Sequence, residues 1–264
     1  MAIVGHVDVV PVGNGWSVNP FAGIIKDGWL YGRGAQDDKG PTMAGLYAMK
    51  ILKDLGFQPK KTIRLILGLD EEANWNGMKY YLEKEKAPDF GIVPDADFPL
   101  VQCEKGLLEF DLVYPPQEFK PLNIQLPYLK SMTGGIAPNV VAGSAQIQIS
   151  GTTEVLQSTK KAIEEKAAAL GYDIKSEIED ANLNITVTGV PAHAALPERG
   201  KNAISMACNL LSQLSFSNED ANHFIGFYQD KIGFALDGSK IGCAMKDHLS
   251  GDLSFNVGKV IFNL

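Results

Sequence analysis

Short apolar runs alternate with segments of helical periodicity over the first hundred residues. Three runs, residues 3–10, 62–69 and 89–93, are rich in Ile, Val and Leu and end at turn-forming or charged residues, which is typical of buried strands. Between them, apolar residues recur at helical spacing over 43–55, and residues 77–85 predict a second helix. Strands that alternate with helices predict an α/β fold with a parallel or mixed sheet.

The second part of the chain has a different order of elements. From residue 142 onward the predicted order is β-α-β-β-α-β, which is typical of a ferredoxin-like α+β layer. The predicted elements are strands at 106–114, 142–149, 174–178, 183–187 and 253–262 and helices at 153–170 and 202–214. We therefore predict two domains, residues 1–105 and 106–264, with the boundary near Gly106.

Composition and charge argue against several classes of function. The 264 residues contain 31 Asp and Glu against 24 Lys and Arg, a net charge of −7, whereas proteins that bind nucleic acid present a basic face. No apolar run approaches the roughly 18 residues of a membrane span, and the first residues lack the regions of a signal peptide. Three widely spaced cysteines without a CxxC pair favour the cytoplasm. We expect neither a nucleic-acid partner nor a membrane.

Acidic residues and one histidine stand where the predicted strands of the first domain end. The set comprises His6, Asp8, Asp37, Asp38, Asp70, Glu71, Glu72, Asp95 and Asp97. Open α/β sheets bind ligands at the carboxyl ends of their strands. Carboxylates gathered there repel one another, and a divalent cation turns that repulsion into binding. Mixed imidazole and carboxylate ligands favour zinc, manganese or cobalt over calcium or magnesium.

Two interpretations of these residues remain open. Any single acid, or a lone His-x-Asp pair, is more often a solvated loop residue than a ligand. The joint pattern favours a metal site, because each cluster ends a strand or precedes a helix. One cation would not need so many carboxylates, whereas two cations about 3.5 Å apart that share a bridging carboxylate would.

Some other side chains have simpler explanations. Trp16, Phe21, Trp29 and Tyr31 could stack on a substrate, but we expect them to pack beneath a long loop. Cys103 has no histidine base beside it in the sequence, which favours a core position.

Four ordered motifs resemble those of a known family. They are Gly5-His6-Val7-Asp8-Val9-Val10-Pro11, Gly32-Arg33-Gly34-Ala35-Gln36-Asp37-Asp38-Lys39-Gly40, Glu71-Glu72 and Pro94-Asp95-Ala96-Asp97. With them the chain resembles, over nearly its whole length, the M20-type di-metal peptidases and deacylases, typified by carboxypeptidase G, acetylornithine deacetylase and the PepV dipeptidases. The resemblance implies an α/β catalytic domain over residues 1–105, present in part, and an α+β ferredoxin-like lid domain over 106–264.

The resemblance also implies roles for the metal-binding residues. It makes His6 and Asp95 ligands of one metal and Glu72 a ligand of the other, with Asp37 bridging the two. Asp8 would orient His6 through a hydrogen bond. The implied cofactors are two divalent ions, Zn²⁺ first, with Mn²⁺ or Co²⁺ as alternatives.

Catalytic roles follow from the same resemblance. Glu71 would take a proton from the water that the two metals activate, and would pass it to the leaving amine. His193 matches the lid segment of the family and would stabilise the oxyanion, and Asn139 is a second candidate for that role. Without the resemblance, His193 is more simply explained as an inert loop histidine.

The long second domain indicates the kind of member. A lid of this length resembles the PepV-type dipeptidases, which implies a monomer that cleaves small peptides, namely dipeptides with a free N-terminus. The alternative is an N-acyl amino acid deacylase of the acetylornithine or succinyl-diaminopimelate type. A third possibility is a protein that binds metal or is a remnant without catalysis.

Several parts of the family pattern are missing. A further histidine ligand from a C-terminal segment, a lid arginine for the substrate carboxylate, and the elements before the Gly-His-x-Asp motif have no counterpart here. We therefore expect the chain to be an internal piece of a longer enzyme, with exposed sheet edges and doubtful activity by itself.

Overall fold

The protein is described by a computed structural model that covers residues 1–13, 15–96, 99–101, 103–115 and 123–263. The chain forms two compact units, Met1–Gln102 (unit 1) and Cys103–Leu264 (unit 2). Among the described residues, no helix combines the length and the apolar character that a bilayer crossing requires. The assignment of catalytic and lid roles to the two parts of the chain stays a prediction.

Unit 1 contains a parallel sheet with helices between its strands. Its elements are β1 (Ala2–His6), β2 (Ile24–Lys26), β3 (Trp29–Tyr31), α1 (Gly40–Asp54), β4 (Arg64–Gly68), α2 (Asn76–Lys84) and β5 (Gly91–Ile92). The sheet has the order β4-β1-β5, and β1 pairs with β4 in register from Ala2 opposite Arg64 to His6 opposite Gly68. The parallel α/β arrangement is confirmed, although every strand is shorter than predicted. Because β1 and β4 end side by side, the residues that follow them leave the sheet at one edge.

Helix α1 begins and ends where its sequence indicates. Pro41 lies in its first turn, where the N–H that proline lacks would have no partner inside the helix. Gly56, just beyond the last turn, has φ of 76°, a left-handed conformation that glycine adopts without steric cost. The helix starts directly after the short irregular turn Ala35–Lys39, which carries Asp37 and Asp38.

The predicted packing of the aromatic residues is wrong for three of the four. Phe21 and Trp29 are each 71% exposed, and Tyr31 is exposed as well. Trp29 and Tyr31 lie on the two-stranded hairpin β2–β3, which joins no other sheet among the described residues, so neither face is covered. Trp16 alone is half-buried, and its indole N–H donates to the carbonyl of Val12 at 2.6 Å.

Unit 2 is built on an antiparallel sheet with the strand order β12-β6-β7-β9-β8. Its elements are β6 (Tyr128–Gly134), β7 (Ser144–Ser150), α3 (Thr153–Leu170), β8 (Asp173–Glu179), β9 (Asn182–Thr188), α4 (Ala203–Leu211), α5 (Glu219–Lys231), β10 (Lys246–Asp247), β11 (Gly251–Asp252) and β12 (Val260–Asn263). The α+β character predicted for this part of the chain is confirmed. Apolar residues from the sheet and from α3, α4 and α5 share one buried core, which includes Leu129, Ile149, Ile163, Leu183 and Ile204.

The elements of unit 2 differ from the prediction at several places, since helix α5 and strands β6, β10 and β11 were not expected. Strand β6 lies between β7 and β12. Its pairing with β7 shifts register between Leu129 and Ser131, and such a bulge interrupts the alternation of buried residues by which a strand is recognised. The strand expected over 253–262 shrinks to Val260–Asn263 and pairs with β6.

The strand predicted over residues 106–114 is wrong. In the structure residues 103–115 form no regular element, and all of them are exposed, including Cys103, for which a core position was expected. Alternating side chains produce a strand only where a neighbouring strand supplies backbone hydrogen bonds. No neighbour is present for this segment among the described residues of unit 2.

Candidate metal centre

Four segments of unit 1 bring their polar side chains to the carboxyl edge of the parallel sheet. His6 is the last residue of β1, Glu71 and Glu72 follow β4, and Asp95 follows β5. Asp37 comes from the helical turn before α1. The sheet therefore gathers residues that are far apart in the sequence, as open α/β folds do at their ligand sites.

His6 stands at the centre of this group. Its side chain is 2% exposed, and its Nδ1 lies 3.1 Å from the carbonyl oxygen of Asp8 and 3.3 Å from the Asp8 carboxylate. On the other side of the ring, Nε2 lies 3.0 Å from Asp37 Oδ1 and 3.3 Å from Asp95 Oδ2. Asp8 therefore holds one ring nitrogen, and the other faces the carboxylates.

A second layer of contacts fixes the backbone beneath these side chains. The buried carboxylate of Asp38 accepts the His6 backbone N–H at 3.1 Å and the Thr42 hydroxyl at 2.9 Å. The carboxylate of Asp8 accepts the Glu72 backbone N–H at 3.1 Å. These bonds tie the end of β1 to the start of α1 and to the residues after β4.

The carboxylates of this group repel one another, and the repulsion affects their pKa values. Burial raises the pKa of Glu71, of Glu72 and of Asp95 above their ordinary values, and Asp37 raises each of them further. Burial lowers the pKa of His6, but the facing carboxylates outweigh that effect, and the net direction is upward. Among the described residues, no Lys or Arg forms an ion pair with these carboxylates.

The donor set fits divalent cations. Its possible ligand atoms form two groups, and within each group all the atoms lie within 4.8 Å of one another. One group comes from His6, Glu71 and Asp95, and the other from His6, Asp37 and Glu72. Imidazole nitrogen with carboxylate oxygen suits zinc, manganese or cobalt. A positive ion there would also relieve the repulsion that raises the pKa values of the three carboxyls.

We expect Zn²⁺, Mn²⁺ or Co²⁺ to raise the melting temperature of the protein. At a metal concentration 100 times Kd the stabilisation is about 2.7 kcal/mol, because the ion binds the folded chain only. Scanning fluorimetry with and without chelator measures the shift. The shift should disappear in Asp95→Asn and persist in Asp54→Asn, which alters an exposed carboxylate paired with Lys50. Equal shifts in both variants would place the bound ion elsewhere.

The structure brings together six of the nine residues that the sequence placed at the ends of the predicted strands. His6, Asp8, Asp37, Glu71, Glu72 and Asp95 lie in one group. Asp70 does not join them, because its two carboxylate oxygens accept the backbone N–H groups of Asn76 and Gly77 at the start of α2. Asp97, also in the predicted set, lies outside the described residues.

Sequence reasoning missed the structural role of Asp38 and Thr42. Asp38 lies in the turn before α1 and Thr42 in the first turn of the helix, four residues apart in the sequence. That spacing was the signal available, but it did not reveal that the same carboxylate also binds the backbone of β1.

His193 and Asn139 lie in unit 2, on two adjacent loops. Val140 pairs with His193 in an isolated antiparallel bridge, and Ala194 N–H donates to the Asn139 carbonyl at 2.9 Å. The imidazole Nδ1 of His193 accepts the N–H of Ala195 at 3.1 Å. In the neutral ring the proton must then reside on Nε2, so the exposed nitrogen is a hydrogen-bond donor.

Comparison with known proteins adds an independent finding. A sequence model described as "Peptidase family M20/M25/M40" matches residues 2–241. The "Putative dipeptidase YtjP" of Bacillus subtilis (strain 168) is 36% identical over 98% of this chain and 55% of its own. The "Beta-Ala-Xaa dipeptidase" of Lactobacillus delbrueckii subsp. lactis is 37% identical over 96% of this chain and 53% of its own. The chain spans about half the length of these relatives.

A solved structure was also matched. The crystal structure of human carnosine dipeptidase 1 aligns with a TM-score of 0.32 and 16% identity, over 80% of this chain and 58% of that one.

Proposed function

Because this chain belongs to peptidase family M20/M25/M40, we propose that it takes part in the hydrolysis of dipeptides with a free N-terminus by a metal-dependent site in unit 1. The observation that carries the proposal is the position of His6, whose Nε2 faces the carboxylates of Asp37 and Asp95 while Asp8 holds Nδ1. The names of two relatives, "Putative dipeptidase YtjP" and "Beta-Ala-Xaa dipeptidase", support the choice of substrate.

His6, Asp37, Asp95 and Glu72 are the proposed ligands, since their donor atoms fall into the two neighbouring groups of the cluster. Two divalent ions bound there would lower the pKa of a water and polarise the peptide carbonyl. Asp8 has a different part, because its contacts with Nδ1 leave Nε2 as the ring nitrogen available for coordination.

Glu71 is the proposed general base. Its nearer oxygen lies 3.9 Å from His6 Nε2, farther than the oxygens of Asp37 and Asp95. Burial raises its pKa, which brings the carboxylate closer to the range where it can accept a proton and return it near neutral pH. In the proposed reaction Glu71 takes a proton from the attacking water and gives it to the leaving amine.

His193 is the proposed donor to the carbonyl oxygen of the substrate as negative charge develops there. The hydrogen bond from Ala195 N–H to Nδ1 supports this role, because it leaves the proton of the neutral ring on Nε2. Asn139, on the adjacent loop, is the second proposed donor.

A substrate comparison tests the proposal. With the whole protein we expect hydrolysis of Ala-Xaa and β-Ala-Xaa dipeptides in the presence of Zn²⁺, Mn²⁺ or Co²⁺, and much lower rates with N-acetyl amino acids. Amine release measured by ninhydrin compares the two series at matched concentration. Faster release from the acetylated compounds would favour the N-acyl deacylase, and no release from either series with any of the three metals would favour a non-catalytic protein.

A further inference from the structure

One segment of unit 2, residues 254–258, lies against both loops that carry the proposed oxyanion donors. The segment precedes β12, and three of its side-chain or backbone groups contact the loop of Asn139 or the loop of His193. No role was predicted for it from the sequence. Its contacts are specific enough to suggest one.

Both Nδ2 and Oδ1 of the Asn256 side chain form hydrogen bonds. Its Nδ2 donates to the carbonyl of Val140 at 3.0 Å and to that of Pro138 at 3.3 Å. These two carbonyls flank Asn139 in the sequence. Its Oδ1 accepts the Nδ2 of Asn202 at 3.2 Å, and Asn202 Oδ1 in turn caps the first turn of α4. Asn256 therefore connects the Asn139 loop to a helix of the buried core.

The loop of Asn139 is bonded directly to the loop of His193. Val141 N–H donates to Ala192 at 2.8 Å, and Ala194 N–H donates to Asn139 at 2.9 Å, so the two backbones form a short antiparallel pair around His193. Ser254, two residues before Asn256, donates its hydroxyl to the carbonyl of Ala195 at 2.9 Å. The N–H of the same Ala195 binds His193 Nδ1.

The backbone of the segment packs closely against residues 135–138. A Cβ on Gly258 would lie 2.5 Å from the carbonyl oxygen of Ala137, and a Cβ on Gly135 would lie 1.8 Å from that of Gly258. Only glycine at both positions permits this approach. Asn256 therefore belongs to a segment whose backbone packs directly against the loop that its amide binds.

We propose that Asn256 is a positioning residue that fixes the loops of Asn139 and His193, and that this fixes the direction of the His193 Nε2–H donor. The catalytic consequence rests on the proposed function, because His193 is a donor to substrate only if the protein is the hydrolase proposed above. A hydrogen-bond donor must be aimed within a fraction of an ångström, and a misplacement of 1 Å costs about 100-fold in rate.

An isosteric substitution tests the Asn256 N–H₂ group separately from the oxygen of the same side chain. Asn256→Asp keeps the oxygen that accepts from Asn202 and removes the N–H₂ group that binds the two carbonyls. The matched control is Asn222→Asp, since Asn222 likewise accepts a backbone N–H with Oδ1 and donates Nδ2 to a carbonyl, both from Phe216. Both variants lose one type of bond and gain one negative charge.

In Asn256→Asp we expect kcat for dipeptide hydrolysis to fall about 100-fold with KM changed less than threefold. In Asn222→Asp we expect kcat to stay within threefold of the unmutated protein. In a His193→Ala background, Asn256→Asp should lower kcat much less than it does alone, because one of the two groups that it positions is gone. Equal kcat losses in the two Asn variants, or a full additional loss in the His193→Ala background, would overturn the proposal.

A second measurement is independent of activity. At a pH where the ring is neutral, ¹⁵N NMR of His193 in the unmutated protein should show the tautomer with the proton on Nε2. We expect Asn256→Asp to broaden or shift that signal and Asn222→Asp to leave it unchanged, and an unchanged signal in both would overturn the proposal. If the unmutated protein hydrolyses no dipeptide, the proposed function fails, and the NMR result still decides whether Asn256 positions His193.

Discussion

Replacing Glu71 with Gln is expected to lower kcat for dipeptide hydrolysis by about 10²- to 10⁴-fold, the usual contribution of a positioned acid–base group. Glutamine has nearly the same shape as glutamate, but its amide accepts no proton at neutral pH. The metal content should stay unchanged, because His6, Asp37, Glu72 and Asp95 remain in place. Steady-state kinetics together with metal analysis of the purified variant test both expectations.

This experiment also separates two roles that the geometry allows for Glu71. The side chain belongs to one of the two groups of possible ligand atoms, together with His6 and Asp95. A loss of bound metal in parallel with kcat would identify Glu71 as a ligand, and an unchanged kcat would remove it from the reaction. The matched control is Glu83→Gln, an exposed glutamate of α2 that has no place in the site and should leave both quantities unchanged.

Replacing Gly5 with Ala is expected to lower the free energy of unfolding of unit 1 by about 3 kcal/mol, a typical cost of overpacking a buried site. The added Cβ would lie 2.0 Å from Thr42 Oγ1 and 2.5 Å from Asp38 Oδ2. Those two atoms are hydrogen-bonded to each other, and Asp38 Oδ2 also accepts the His6 N–H. The methyl group would therefore disturb the hydrogen bonds that hold the backbone of His6.

The control for this prediction is Gly91→Ala, on the neighbouring strand β5. A Cβ there would meet only the Ala2 carbonyl, at an ordinary contact distance of 3.7 Å. Unit 1 contains all three tryptophans of the chain, Trp16, Trp29 and Trp75, so tryptophan fluorescence during urea denaturation follows unit 1 by itself. Equal losses of stability in the two variants would show that the contacts of Gly5 are not the cause.

Local sequence signals predicted the helices and strands that depend mainly on residues close to them in the sequence. Pro41 and Gly56 bound helix α1, and Thr152 and Gly171 bound α3, where the Thr152 hydroxyl accepts the N–H of Val155 and Gly171 has φ of 67°. These features depend on residues within one or two turns of the helix end. The apolar runs of β1 and β4 were equally clear, and their parallel pairing followed from the helix between them.

Strands whose formation depends on pairing partners far away in the sequence were missed or misplaced. Strand β6 has an irregular pattern, and its position between β7 and β12 depends on partners that begin 16 and more residues later, at Ser144 and Val260. The alternation over 106–114 has no such partner among the described residues, and it forms no strand. In both cases the deciding factor was the presence or absence of a neighbouring strand.

The sequence by itself determined which side chains meet at the carboxyl edge of the sheet, because the order of strands and helices brings the ends of β1, β4 and β5 together. Only the tertiary structure decided which contacts two consecutive acidic residues, Asp37 and Asp38, make there. Asp37 directs its carboxylate to His6 Nε2, whereas Asp38, the next residue, is buried and bonds the His6 backbone and Thr42. Two adjacent aspartates look alike in a sequence. Their environments differ because the direction of each side chain depends on contacts with segments more than thirty residues away.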